Sequence, residues 1–291
     1  MMRVLITGAS GQVGRALQDS APAGMRVRAL SRHELNIADV AAVGAAVRNF
    51  SPNVLINAAA YTAVDKAESE PEAAEAVNAQ GPRHLATAIR DIDGARMLHI
   101  STDYVFDGQG EEPYLPTATT HPMGVYGQTK LAGERAVLEV LGDRAVVLRT
   151  AWIYAPEGKN FLLTMLRLMR ERGTVRVVAD QRGAPTAASS VARALWRIVE
   201  QPQIKGVLHW TDAGTASWYE FAVAISEAAL AAGLLTKMAE VWPITTAEYP
   251  TPARRPLYSV LDLRDTAQQL HQQPIPWRES LRATVQTLAA L

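Results

Sequence analysis

Cysteine is absent from the 291 residues, which excludes disulfides, thiolate metal sites and thiol nucleophiles and suits a reducing compartment. Charge of one sign is lacking as well. The 29 basic and 29 acidic residues cancel, so there is no electrostatic footprint for nucleic acid or an anionic membrane. The six histidines have no metal-ligand spacing, and His99, inside an apolar run, reads as a satisfied core residue. No uninterrupted apolar stretch reaches the ~20 residues that cross a bilayer, and the opening MMRVLITG passes from one arginine into a glycine turn without a signal-type apolar region. Low-complexity tracts and internal repeats are missing too. What is there is 48% apolar, enough to bury a sizeable core as one large domain or two smaller ones in a soluble, cytoplasmic protein.

Short β-branched runs alternate with alanine-rich stretches. RVLIT (3–7), RVRAL (26–30), NVLINAA (53–59), MLHIS (97–101) and AVVLRT (145–150) read as strands, with helices expected at 11–20, 39–50, 71–92 and 126–141. This is the pattern of βαβ units, and near-continuous apolar strands predict a parallel sheet covered on both faces, an α/β, Rossmann-type doubly wound fold. Past residue 150 the rhythm loosens into helices at 160–172, 189–200, 217–233 and 277–290, separated by proline-rich loops such as YPTPARRP (249–256). The expected division is a dinucleotide-binding domain over 1–150, with sheet segments from about 174–212, and a smaller, discontinuous substrate lobe over 151–291.

Directly after the first strand stands TGASGQVG, with Gly8, Gly11 and Gly14 in G-x-x-G-x-x-G spacing ahead of a helix. Glycine is needed where the chain turns sharply, where backbone approaches a pyrophosphate and where helix packs on strand, and the helix N-terminus then offers free N–H groups to phosphate. Ser10, Gln12 and Val13 belong to the same turn and are expected to line the cofactor with it. At the end of the second strand, LSRHE presents Ser31 and Arg32, a hydroxyl and a guanidinium suited to a 2′-phosphate. NADPH is therefore the expected cofactor, with NADH possible, because Arg32 also reads as a solvated loop residue and Glu34 stands close by.

The fourth strand ends in STDYVFDG (101–108), where ligands gather in such sheets, and Thr102 there is placed to hydrogen-bond a substrate carbonyl. Tyr126 and Lys130 stand four residues apart in a helical stretch, so the ammonium is expected beside the phenol, lowering its pKa and making it a usable acid. The plain alternative is a phenol and an ammonium on a wet helix face.

With an N-terminal G-x-x-G-x-x-G, a Ser/Thr after strand four and Y-x-x-x-K, the chain resembles the extended short-chain dehydrogenase/reductases. NAAAYTAVDKAE (57–68), STDYVFDG, YGQTKLAGE (126–134), LRTAWIY (148–154) and RPLYSVLD (255–262) resemble, in order, the motifs of the dTDP-4-dehydrorhamnose reductase (RmlD) family over nearly the whole chain. The resemblance implies reduction of the 4-keto group of dTDP-4-dehydro-L-rhamnose, the last step of dTDP-L-rhamnose synthesis. It implies catalytic roles for Thr102, Tyr126 and Lys130, with Lys130 also holding the nicotinamide ribose. Ala58, Ala59, Ala60 and Tyr61 would line the cofactor, Asp39 and Val40 would lie near the adenine, Trp152 would pack on the sugar, and Asp103 and Val105 would join Thr102 around the substrate.

For the substrate diphosphate, Arg255 is the first choice and Arg254 the second, against the plain reading of solubilising loop arginines. Asn160 either contacts substrate or caps its helix, the cap being preferred. Tyr104 stands where related dehydratases carry the glutamate of an Asp-Glu pair, which disfavours dehydration. Departures from the family are Gly124, where asparagine is common, and Ala155, where glycine is frequent. Arg15 follows the third glycine, a poor metal ligand, so no metal is expected, and the protein is taken as a monomer or homodimer. Rival readings are a reductase or epimerase of another nucleotide-linked 4-keto sugar, and a non-catalytic NADP-binding regulatory subunit.

Overall fold

A computed structural model describes residues 1–291. Six strands form one parallel sheet: β1 (Arg3–Thr7), β2 (Arg26–Leu30), β3 (Val54–Asn57), β4 (Arg96–Thr102), β5 (Ala145–Thr150) and β6 (Gly206–His209), in the spatial order β6-β5-β4-β3-β1-β2. The chain leaves β1 toward β2 and then crosses back to β3, so the order reverses between β1 and β3, the switch point at whose carboxyl ends such sheets bind ligands. The expected doubly wound α/β fold is present.

Alternation along the strands sorts the two faces. Val4, Ile6, Val54 and Ile56 pack with Leu17 of α1 (Gln12–Asp19) and with α8 (Ala188–Glu200), whereas Leu5, Leu55 and Met97 pack on the other side. That second face carries α2 (Val40–Phe50), α5 (Gly81–Arg90) and α6 (Val125–Leu141). Between them lie two short helices, α3 (Val64–Ala67) and α4 (Pro71–Glu75).

A separate apolar core joins α7 (Phe161–Arg172), α9 (Trp218–Ala231) and α11 (Trp277–Ala289), while α10 (Arg264–Leu270) packs against the main sheet's core. Of the stretch expected to feed the sheet, only Gly206–His209 does. Thr174–Val178 pairs instead with Glu240–Ile244 in a parallel two-stranded sheet, because its buried Val175 and Val177 face the second core. The helix expected over 71–92 is broken by a π-helical turn at Ala76–Gln80. Pro82, which donates no backbone hydrogen bond, is the second residue of α5, which follows directly. No helix is long and apolar enough to cross a membrane.

Candidate active site

The glycine turn is built by steric necessity. Gly8 has φ +76°, and a Cβ there would lie 2.6 Å from the backbone of Ala58 and Ala59; one at Gly14 would lie 2.1 Å from the Gly8 carbonyl oxygen. Helix α1 starts from Gly11 with no side-chain cap and no acidic residue in its first turn, so its positive end is left for an anion. This cradle fits a dinucleotide pyrophosphate. Arg15, just beyond it, is paired with Glu157 and donates to the Ser10 carbonyl at 3.1 Å.

Ser31 and Arg32 follow β2 as expected. The Ser31 N–H and hydroxyl both donate to Glu34 Oε2, at 2.8 and 2.7 Å, while Arg32 is exposed. Asp39 caps α2, accepting from the Ala41 and Ala42 N–H groups at 2.9 and 3.0 Å, and Val40 stands exposed behind it. The loop Ala58–Tyr61 borders the glycine turn. Its Tyr61 peptide is clamped by Asn78, which accepts from the Tyr61 N–H at 2.8 Å and donates to the Tyr61 carbonyl at 3.0 Å. The π-helical turn that interrupts the expected helix is what carries Asn78.

Beneath this loop runs a buried polar chain. Thr7 Oγ1 donates to Asn57 Oδ1 at 2.6 Å, and Asn57 Nδ2 lies 3.0 Å from His99 Nδ1, so Nδ1 accepts and the ring proton sits on Nε2. Nε2 is buried with no partner, so His99 is a core residue only half satisfied. Burial, and then the nearby Lys130 charge, push its pKa well below the usual imidazole range.

At the end of β4, Thr102 Oγ1 donates to Asp103 Oδ1 at 3.0 Å and accepts from the Tyr104 N–H at 3.2 Å, fixing the tight turn Asp103–Val105. Asp103 is 1% exposed, and burial pushes its carboxyl up to about 6. Tyr126, on the first turn of α6, meets the Tyr104 ring edge-on at 5.6 Å between centroids. The Tyr126 ring keeps some contact with solvent, yet the protein packed around the phenol raises its pKa to about 12, against a lowering by the Thr102 hydroxyl.

The expectation that Lys130 tunes this phenol downward fails. Lys130 is buried, its Nζ donates to the Ile100 carbonyl of β4 at 2.6 Å, and its charge is not among the influences on the phenol, whose pKa is raised and not lowered. Desolvation lowers the ammonium to about 8, with Glu134 pulling it back up. Glu134 forms a buried bidentate pair with Arg149 of β5, at 2.9 Å from Nε and 2.7 Å from Nη2, which fixes α6 to the sheet.

Other expected substrate residues divide. Val105 is fully buried among Phe106, Leu131 and Leu261 and is a core residue with no face toward a sugar. Asn160 is the N-cap of α7, accepting from the Leu163 N–H at 3.0 Å, and its amide donates to Gln12 Oε1 at 2.8 Å and the Ala155 carbonyl at 2.9 Å, so the preferred reading as a cap matches its contacts. Trp152 has a left-handed backbone (φ +46°), covers Gly183 and stacks on Trp218 at 3.5 Å. Arg255 reaches the Asp103–Val105 turn, where its charge bears on Tyr104, and it forms a bidentate pair with Asp65 at 3.0 and 2.8 Å. The loop that carries it packs so closely on Gly108 that a Cβ there would lie 2.4 Å from Pro256. Arg254 points to solvent. Trp218 and Asp65 were not singled out in the sequence; only an aromatic after a capping serine and an acidic residue on a short turn marked them.

Residues 2–290 match the family described as "RmlD substrate binding domain". The dTDP-4-dehydrorhamnose reductase of Aggregatibacter actinomycetemcomitans is 44% identical over 289 residues, covering 97% of this chain and 98% of that protein. A crystal structure of a dTDP-4-dehydrorhamnose reductase from Clostridium acetobutylicum superposes with TM-score 0.92 at 38% identity, covering 99% of each chain. One from Bacillus anthracis, in complex with NADP, gives 0.91 at 35% identity, covering 98% of this chain and 99% of that one.

Proposed function

The chain belongs to the dTDP-4-dehydrorhamnose reductase (RmlD) family, and from that membership we propose that it is an NADPH-dependent reductase of the 4-keto group of dTDP-4-dehydro-L-rhamnose, forming dTDP-L-rhamnose. The observation that supports the reading is that Tyr126 packs on Tyr104 of the turn after Thr102 while Lys130 reaches the Ile100 carbonyl of the same strand, in a sheet whose first strand ends in a turn only glycine tolerates. The glycine turn, the uncapped end of α1 and the Ala58–Tyr61 loop would hold NADPH, with Arg32 toward its 2′-phosphate. When bound, NADPH supplies the hydride for the carbonyl carbon.

Tyr126 supplies the proton. A phenol held at about 12 stays protonated through neutral pH, the state required of a group that neutralises an emerging alkoxide. Thr102 Oγ1, held by the Tyr104 N–H of the turn it caps, turns its one hydrogen from Asp103 Oδ1 to the same substrate oxygen. Lys130, still charged at neutral pH, holds a ribose hydroxyl and keeps positive potential under the site. Arg255 binds the diphosphate, and Trp152, backed by Trp218, covers the sugar. We read residues 1–150 with β6 as the dinucleotide-binding half and the core of α7, α9 and α11 as the substrate lobe of a cytoplasmic monomer or homodimer.

The test follows NADPH absorbance with purified protein and dTDP-4-dehydro-L-rhamnose generated in place. Oxidation that requires both protein and sugar nucleotide is expected, with Tyr126→Phe slowed about a hundredfold or more at unchanged NADPH affinity. NADPH binding without oxidation would overturn the reading, and equal use of NADH would remove the role given to Arg32.

A further inference from the structure

The helix that carries Tyr126 and Lys130 begins without a cap of its own. Its N-cap residue is Gly124, which has no side chain to receive the first free N–H groups. The Val125 N–H donates instead to Glu68 Oε1 at 2.9 Å, a carboxylate from the end of α3. Glycine at 124 admits that carboxylate, because a Cβ built there would lie 2.6 Å from Glu68 Oε1. The Gly124 backbone (φ −137°, ψ 170°) is ordinary extended chain, so what glycine gives here is space for the carboxylate and not a conformation. The carboxylate also meets the positive end of the α6 dipole.

The same helical turn is held from its other side. A Cβ at Gly127 would lie 2.2 Å from the Tyr104 carbonyl oxygen, so α6 packs directly on the turn that presents Thr102. Tyr126 therefore lies between two supports, Glu68 on one side and the Asp103–Val105 turn on the other. Glu68 is in turn held by its own segment: Asp65 is paired with Arg255, and Glu70 accepts from the Tyr61 hydroxyl at 2.7 Å.

We propose that Glu68 is a positioning residue for Tyr126: by capping α6 from outside the helix, it sets the phenol's place against Thr102. The proposal rests on the reading of Tyr126 as proton donor. Glu68→Ala is expected to lower kcat about five- to tenfold, the size of a lost helix cap, with KM for NADPH and for sugar nucleotide held within about twofold. Glu68→Gln keeps an accepting oxygen and is expected to retain most of kcat. Gly124→Ser alone drives a Cβ into the carboxylate and is expected to slow turnover. Combined with Glu68→Ala, the same serine supplies a cap in the cleared space and is expected to restore it. A merely structural Glu68 would lower the melting temperature and leave kcat of the folded protein unchanged.

Carbon-13 NMR of tyrosine-labelled protein, with the Tyr126 signal assigned by its loss in Tyr126→Phe, reads the geometry without substrate. A signal that shifts in Glu68→Ala and returns in the double variant supports the proposal. Wild-type turnover with kcat and the Tyr126 signal both unmoved by Glu68→Ala overturns it and leaves the reductase reading standing. Absent wild-type turnover would count against the reductase reading, and the Tyr126 signal would then decide the role of Glu68 alone.

Discussion

Replacing Asp103 with asparagine is expected to stabilise the protein at neutral pH. Asp103 is 1% exposed and has one oxygen, Oδ2, without a hydrogen-bond partner, and burial raises its pKa from 3.8 to about 6. At about 1.36 kcal/mol per unit, an ionised Asp103 at pH 7 opposes folding by roughly 3 kcal/mol. The folded pKa is the higher one, so the folded state takes up the proton first. The opposition is therefore complete above about pH 6 and fades as pH falls toward 3.8. Asparagine removes the charge, but it buries an amide with incomplete partners at a cost of about 1–2 kcal/mol, leaving a net gain of about 1–2 kcal/mol. With an unfolding entropy of about 2.1 cal/mol/K per residue over 291 residues, or about 0.6 kcal/mol/K, the melting temperature rises by about 2–3 °C. Calorimetry of both proteins from pH 7 down to pH 4 checks this, the advantage of asparagine shrinking as pH falls. An Asp103→Asn protein less stable at pH 7, or an advantage that grows on acidification, would refute the reasoning.

Glu134→Gln leaves the buried Arg149 without a counter-charge and is expected to cost about 3–5 kcal/mol, about 5–8 °C in melting temperature, whereas Glu134→Leu with Arg149→Met recovers most of it; calorimetry decides between them. Gly14→Ala sets a methyl group 2.1 Å from the Gly8 carbonyl oxygen, and fluorescence titration is expected to find NADPH affinity weakened at least about tenfold as the turn deforms. Arg255→Ala is expected to raise KM for the sugar nucleotide by about tenfold or more with KM for NADPH unchanged, and lysine at 255 to restore only part of it, since one ammonium cannot reproduce the fork.

What could be read from the sequence followed its local rules. Continuous apolar runs marked β1 to β5, and the spacing of Gly8, Gly11 and Gly14 marked a turn that only glycine tolerates. Asn160 as a cap followed from its place before an apolar helical repeat. What escaped depends on contacts between distant segments. The break at Ala76–Gln80 accompanies an amide clamp between Asn78 and Tyr61, and alanine-rich helix propensity gives no hint of it. Lys130 and Tyr126 do share a helix, but the ammonium donates to the Ile100 carbonyl and desolvation raises the phenol's pKa, which i,i+4 spacing cannot convey. Val105 alternates into a small core formed with Leu261, a residue far along the chain, and so loses the exposure its motif suggested.

The bond from Asn160 to Gln12 has a consequence for how the cleft between the two cores can breathe. One amide caps α7 through its oxygen and holds the Gln12 side chain, on the first residue of α1, through its nitrogen, so a residue already fixed by its own helix ties the two cores there. Elsewhere, Arg255 of a loop and Asp65 of α3 meet through partly wetted side chains and separate at little cost to either backbone. The two ties therefore differ in what they cost to open, and an anion that takes the Arg255 guanidinium must compete with Asp65 for it.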